Sequence, residues 1–374
     1  MAGIYIHIPY CKQACHYCDF HFSTNLNTKS DLIEAILKEI EIQKNYLGAE
    51  TVETIYFGGG TPSMLSSAEL VSTLAGIRQN FNISESAEIT LEANPDDLSQ
   101  AKLTALKKAG INRLSIGIQS FDNDLLTYFN RAHDAHMATK CVQQAQALGF
   151  KNLSIDLIFG APSQSTAGLK KDLEQALLLK TPHISIYGLT IEKDTVFGKW
   201  EKQNKLKPMD EDIAAEHLEL IMTTLSAAGY VQYEISNFCL PGFESKHNSS
   251  YWHGKKYLGL GPAAHSYNGE ERQFNLAHNS KYIRQIQAGK LPTSIEKLTP
   301  EDQINEYLLT KLRLIEGVNH QLLLSTTGFD LLRERASEID QFVEMKMLET
   351  NGDFVRLTTH GKLLADFITE KLII

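Results

Sequence analysis

The sequence predicts an α/β fold, with six strand–helix repeats followed by a smaller, mainly helical C-terminal domain. Three observations carry that reading. In the first half, short β-rich runs alternate with segments of 3.6-residue periodicity, the pattern of parallel strands joined by crossover helices. Eight such repeats would close a barrel, so six suggest an open partial (β/α)6 barrel, although a doubly wound sheet has the same repeat. After Lys193 the alternation stops, and helical periodicity returns only from about Thr299.

The strand-like runs are residues 3–8, 51–57, 88–93, 113–118, 153–159 and 184–189, each followed by Gly, Pro or a polar turn. Leu32, Ile33, Ile36, Leu37 and Ile40 share one helical face. A second helix over 65–81 is capped at Ser66/Ser67, and helices over 98–109 and 135–148 stop at Gly110 and Gly149. A fifth over 169–180 stops before Pro182, and 210–228 forms an amphipathic helix ending at Gly229. Residues 230–275 are rich in Gly, Tyr, His and Asn and show little periodicity, and Gly259-Leu-Gly261-Pro262 reads as a turn. Beyond Thr299 come two or three helices, a hairpin over 352–358 and a last helix over 361–372, a winged-helix-like ending. The expected division is a core over 1–200, an extension over 201–295 and a helical domain over 296–374.

Composition narrows the function classes. The net charge of −9 opposes wholesale wrapping of nucleic acid, and the C-terminal segment has no arginine-rich helix. No apolar run approaches the ~18–20 residues of a membrane span. The opening MAGIYIHIPYCKQAC lacks the basic and apolar regions of a signal peptide. Five cysteines in a chain without an export signal make a poor disulfide framework, so a cytoplasmic, reducing location is expected. Cys141 and Cys239 read as ordinary buried thiols.

Cys11-Lys-Gln-Ala-Cys15-His-Tyr-Cys18 has the spacing C-x3-C-x2-C, directly after the first strand-like run. Three soft thiolates so close converge on one metal centre but leave a fourth position unfilled. Structural zinc would need a fourth ligand, for which His7, His16 and His21 are at hand. A [4Fe–4S] cluster also takes four ligands, so three cysteines leave one iron open to a non-protein group. A chance grouping of core cysteines is the third reading. The second motif, Tyr56-Phe57-Gly58-Gly59-Gly60-Thr61-Pro62, ends the second strand, where consecutive glycines permit close backbone approach.

The cysteine spacing resembles that of the radical S-adenosylmethionine (SAM) superfamily, and GGGTP resembles its second motif. That resemblance implies a [4Fe–4S] cluster on Cys11, Cys15 and Cys18, and SAM on the open iron. It also implies a partial barrel of radical SAM type. Tyr17 resembles the aromatic that packs against the adenine. The segments Tyr5-Ile-His7-Ile-Pro9-Tyr10-Cys11, Glu92-Ala-Asn94-Pro95, Ser115-Ile-Gly117-Ile-Gln119 and Asp156-Leu-Ile-Phe159-Gly160 are similar to the branch holding the oxygen-independent coproporphyrinogen III dehydrogenase (HemN). On that likeness Tyr5, Gly59, Gly60, Thr61, Glu92, Gln119, Arg131 and Asp156 match SAM-contacting positions, with Gly188 a further candidate.

Three features bear on catalysis within that branch. The dehydrogenase has a further cysteine two positions after the third, where this chain has Phe20. Its long N-terminal extension has no counterpart in the ten residues before Cys11. Lys246-His247-Asn248-Ser249-Ser250-Tyr251-Trp252 resembles the H-N-x-x-Y-W motif of a haem-chaperone group, with Ser249 replacing its second asparagine. That resemblance implies haem as ligand, with His247 as an axial contact and His253 and His265 as rivals. It also implies transfer of haem to an acceptor protein such as a respiratory haemoprotein. Two readings stand against it: a radical SAM oxidoreductase acting on a tetrapyrrole, and a non-catalytic interaction protein stabilised by its cluster. No catalytic residue is assigned.

Overall fold

The computed structural model describes residues 2–374. Strands β1 (Ala2–Ile8), β2 (Val52–Gly59), β3 (Ile83–Ala93), β4 (Arg113–Gln119), β5 (Asn152–Phe159) and β6 (His183–Gly188) pair in parallel, in chain order. Between them run α1 (Lys29–Ile42), α2 (Ser67–Asn80), α3 (Gln100–Ala109), the short α4 (Asn123–Tyr128) with α5 (Ala135–Ala147), and α6 (Thr166–Leu179). The order never reverses, so there is no doubly wound switch point. The ends are capped as the residue types require. Ser66 and Glu69 form a capping box before α2, and Gly110 takes the left-handed conformation after α3.

Alternation along the strands sorts the side chains by face. Ile4, Ile6, Ile55, Phe57, Leu91, Leu114 and Ile116 are buried in one large apolar core with α1, α2, α3 and α5. The intervening positions are polar: Thr54, Tyr56, Glu88, Thr90, Glu92, Arg113, Ser115, Ser154, Asp156, His183 and Ser185. The helices cover one face of the sheet, and the other encloses a polar lumen.

The barrel is open because its outer strands take other neighbours. After α7 (Val196–Lys202) and α8 (Glu211–Ala227), β7 (Val231–Glu234) and β8 (Asn237–Cys239) add antiparallel beside β6. After α9 (Lys246–Trp252), β9 (Lys256–Leu260) adds parallel beside β1, followed outward by β10 (His265–Tyr267), β11 (Glu271–Asn275) and, past α10 (Asn279–Gln287), β12 (Thr293–Lys297). The sheet therefore has twelve strands with β12 and β7 at its edges. This corrects the irregular reading of 230–275: five short strands and a helix lie there, and Gly259 and Leu260 belong to β9 rather than to a turn.

Glu39 of α1 pins this extension. Its buried carboxylate accepts hydrogen bonds from the Tyr282 hydroxyl (2.6 Å), the Gly261 amide (2.7 Å) and the Asn275 side chain (2.7 Å). The C-terminal segment has its own apolar cluster, including Leu308, Leu312, Val318, Leu323 and Ile368. It is built from α11 (Pro300–Leu312), β13 (Val318–Asn319), α12 (His320–Thr327), α13 (Leu331–Glu334), α14 (Ala336–Glu344), β14 (Leu348–Asn351), β15 (Phe354–Leu357) and α15 (Ala365–Leu372). The three strands form a small sheet in the order β13-β15-β14. Arg313 ties it to the barrel, lying 3.8 Å from Glu234 and over the Trp252 ring at 5.3 Å.

Candidate functional site

The cysteine loop leaves β1 at the carboxyl end of the sheet and is held by backbone and amide contacts. The His16 amide donates to the Phe129 carbonyl (3.1 Å), and the Asn130 side chain donates to the Ala14 carbonyl (2.7 Å). Gln13 in turn donates to Asn130 Oδ1 (2.7 Å). The half-buried thiols of Cys11, Cys15 and Cys18 line one cavity of about 460 Å³, with walls from β2 to β6. Thr61 Oγ1 donates to Cys11 Sγ at 3.4 Å and Arg131 Nη1 to Cys15 Sγ at 3.2 Å. Burial pushes the Cys11 thiol up and the Cys18 thiol to about 11, a shift that cation binding to the thiolates would oppose.

The donor set fits an iron–sulfur cluster: three soft thiolates on one cavity wall, with N–H and O–H donors aimed at two sulfurs. Among the described residues no three His, Cys, Asp or Glu side chains converge to hold a single ion. His7 is engaged through both ring nitrogens, with Tyr5 Oη and the His21 carbonyl, and His16 Nδ1 with the Tyr128 carbonyl.

The glycine turn faces the loop across the cavity mouth. Gly59 has φ +108°, and a Cβ there would stand 2.6 Å from the His7 ring. A Cβ on Gly60 would meet the backbone of Ile8 and Tyr10 at 2.9 Å. The glycines let β2 end directly against the strand that launches the cysteines. Thr61 then presents its hydroxyl to Cys11.

The floor is acidic and braced. Glu92 accepts from the Tyr56 hydroxyl (2.7 Å) and the Gly59 amide (3.2 Å), and burial pushes its carboxyl up to about 7. Ser115 Oγ lies 3.1 Å from both Asp156 oxygens, and burial raises that carboxyl too. Arg113, 1% exposed, supplies the compensating positive charge within the lumen. Gln119 ends β4 at φ +70°, where the register against β5 shifts, a kink that re-aims its side chain across Gly117. Arg131 is spoken for by protein: besides Cys15, it donates to Asn94 Oδ1 (2.6 Å) and the Gly117 carbonyl (2.7 Å). Tyr17 lines the cavity, its ring edge-on to Phe129 at 5.4 Å.

Of the residues singled out in the sequence, Cys11, Cys15, Cys18, Tyr17, Gly59, Gly60, Thr61, Glu92, Gln119, Arg131 and Asp156 all line this cavity. Tyr5 and His247 do not; they stand behind it. His247, 1% exposed, bonds Thr54 Oγ1 (2.8 Å) through Nδ1 and Tyr251 Oη (2.8 Å) through Nε2, and stacks on Tyr56 at 4.9 Å. Both ring nitrogens are engaged within the protein, which makes His247 a strut under the floor of the cavity. Its neighbour Asn248 faces the cavity instead. The lining residues that sequence reasoning missed include Phe20, Phe22, Asn94, Tyr187 and Asn248. Tyr187 was reachable from its period-2 relation to Ser185, and Asn94 from its place at a strand end. Phe20 was reachable from its place two positions after Cys18, and nothing in the local sequence distinguishes Phe22.

Comparison with known proteins adds three findings. Residues 5–176 match the Radical SAM superfamily, and residues 298–364 match the HemN C-terminal domain. The chain is 36% identical to the heme chaperone HemW of Bacillus subtilis, over 98% of its own length and 97% of the relative's. It is 33% identical to that of Escherichia coli with the same coverage. It is 30% identical to the zebrafish (Danio rerio) mitochondrial radical S-adenosyl methionine domain-containing protein 1, over all of this chain and 87% of that one. In fold it is similar to coproporphyrinogen III oxidase (HemN) from Escherichia coli, at 21% identity and a TM-score of 0.86, covering 100% of this chain and 90% of that one.

Proposed function

The chain belongs to the HemW family of the radical SAM superfamily, and on that premise we propose that it is a cytoplasmic haem chaperone. It holds a [4Fe–4S] cluster and SAM in the barrel cavity, binds haem, and passes haem to an acceptor protein such as a respiratory haemoprotein. Full-length similarity to proteins named heme chaperone HemW is the observation that carries this reading. The division of the chain into a core over 1–200, an extension over 201–295 and a C-terminal domain over 296–374 belongs to the same proposal.

In this reading Cys11, Cys15 and Cys18 ligate the cluster, and Thr61 and Arg131 hold two of the sulfurs by hydrogen bonds. The turn at Gly59, Gly60 and Thr61 receives the methionine end of SAM. Glu92, Gln119 and Asp156 receive its polar groups from the floor, and Tyr17 shields the adenine. When bound, the cluster supplies one-electron chemistry. Tyr5 acts on Glu92 at one remove, through its stack on Tyr56.

Haem meets the apolar lip of the cavity rather than His247. Phe20 is 71% and Tyr187 42% exposed there, beside Phe22 and Leu189, and such a patch suits a planar apolar ligand. Anaerobic titration of the reconstituted protein with haem, followed by Soret absorbance, is expected to saturate at one haem per chain. A Phe20→Ser, Tyr187→Ser variant is expected to bind at least about tenfold more weakly, the loss of two aromatic contacts. Absence of saturable binding, with SAM-dependent formation of protoporphyrinogen, would transfer the chain to the oxidoreductase reading.

A further inference from the structure

Two of the three cysteine sulfurs receive side-chain donors from different parts of the barrel, and one residue joins those donors. Thr61, after the glycine turn, donates to Cys11 Sγ, and Arg131, in the loop before α5, donates to Cys15 Sγ. Asn94 stands between them. Its Nδ2 donates to Thr61 Oγ1 (3.2 Å), and its Oδ1 accepts from Arg131 Nη2 (2.6 Å). A guanidinium only donates, so the amide oxygen belongs at Arg131 and the NH2 end at Thr61. A hydroxyl carries one proton, and a Thr61 that accepts from Asn94 has that proton free for Cys11. The Arg131 fork is clamped to the same end. Asn94 Oδ1 and the Gly117 carbonyl (2.7 Å) hold Nη2, which leaves Nη1 at Cys15 with the Tyr17 hydroxyl at 3.4 Å. The chain in turn fixes Asn94. It follows β3 and precedes Pro95, which confines it to extended backbone (φ −92°, ψ 146°). Its amide donates to Ser63 Oγ at 3.4 Å, and Ser63 donates to Asp97 at 2.7 Å.

We infer that Asn94 is a positioning residue that raises the reduction potential of the cluster by aiming one donor at each of two sulfurs. The inference rests on the cluster reading of Cys11, Cys15 and Cys18. Hydrogen bonds to the sulfurs of an iron–sulfur cluster help to set its potential. Reduction adds one electron, and so one negative charge, with no bond formed or broken. A donor held at a sulfur stabilises the more negative state by the larger amount, since hydrogen bonds strengthen with the charge of the acceptor. Without Asn94 the Thr61 hydroxyl is free to turn from Cys11, and Arg131 loses its shortest bond. Both sulfur contacts therefore slacken together, although Asn94 acts on them only through Thr61 and Arg131.

The test uses the full chain with its cluster reconstituted and without SAM, so that no effect comes from a lost cofactor contact. Visible absorbance of the parent is recorded first. A parent that takes up no cluster removes the cluster reading, and with it this inference, before any variant is compared. Parent and variants are then titrated anaerobically, with dithionite as electron source and viologen dyes as mediators, and the reduced cluster is followed by electron paramagnetic resonance. Asn94→Leu, similar in size, is expected to weaken the one-electron reduction equilibrium by about tenfold, a fall of about 59 mV in midpoint potential. Thr61→Val is expected to lower the potential of the parent and to give a smaller shift in the Asn94→Leu background, where its donor is already misaimed. A merely structural role would lower the Tm or the cluster content and leave the potential of the remaining cluster in place. An unchanged potential in Asn94→Leu would overturn the inference. So would equal shifts from Thr61→Val in both backgrounds, which would make the two residues independent. Should Asn94→Leu take up no cluster, Asn94→Ala is titrated in its place. Loss of the cluster from both would also overturn the inference, by making Asn94 a residue of cluster assembly.

Discussion

Glu39 writes a pH dependence into stability. Burial pushes its carboxyl from 4.5 to about 7, against three hydrogen-bond donors that favour the charged form. Between these values the folded chain holds a proton that the unfolded chain has released, so stability falls as pH rises from about 4.5 to about 7 and levels off above. The full effect is about 3 kcal/mol by linkage. Glu39→Gln is expected to remove this slope, read as the difference between parent and variant urea midpoints at pH 5 and pH 7.5. An unchanged slope would overturn the assignment to Glu39, since the slope contributed by Glu92, also raised to about 7, is common to parent and variant. At this scale the sequence was informative where chemistry is local. The thiols and the GGGTP turn are contiguous motifs, whereas Tyr187 and Asn248 reach the cavity only through the path of the chain. For His247 the motif does not disclose that Thr54 and Tyr251 occupy both of its nitrogens.

Among the elements, α9 is the one whose role depends most on what lies around it. It closes the lumen from the side, with the His247 amide donating to Glu88 at 3.2 Å. His247→Ala would leave Thr54 and Tyr251 without these partners, at a cost of about 2–4 kcal/mol. The expected result is a lower Tm with the Soret maximum of bound haem unmoved. A variant that keeps its Tm and shifts the Soret band would restore His247 as a ligand. The six parallel strands were legible because each is a short β-rich run closed by a turn signal and separated from the next by a segment of helical period. The five strands between 231 and 275 were not, since each has only three to five residues, too few to display a period. Their pairing is decided by long-range partners, as when β9 joins β1.

In the whole molecule, the C-terminal segment is joined to the barrel by several polar contacts, among them Lys311 Nζ to the Trp252 carbonyl (2.8 Å) and the Ile315 amide to the Tyr233 carbonyl (3.2 Å). Arg313 reaches Glu234 and Asp366 and lies over Trp252, at the end of the helix that carries Asn248. Arg313→Met is expected to cost about 1–3 kcal/mol and to raise amide hydrogen exchange in α9 and α11 more than in β2–β5. Uniform exchange throughout would mean that the segment is not separately coupled. The strand order has a further consequence, for synthesis on the ribosome. β1, from which the cysteine loop departs, is flanked by residues 52–59 on one side and 256–260 on the other. The first strand made thus waits for its second neighbour until more than two-thirds of the chain has been translated. At about 5–20 residues per second, that leaves an interval of roughly ten seconds or more with one edge of β1 unpaired. The cavity that the cysteine loop shares with Asn248 is therefore completed late in translation or after release, and during that interval the nascent thiols are not enclosed by the fold.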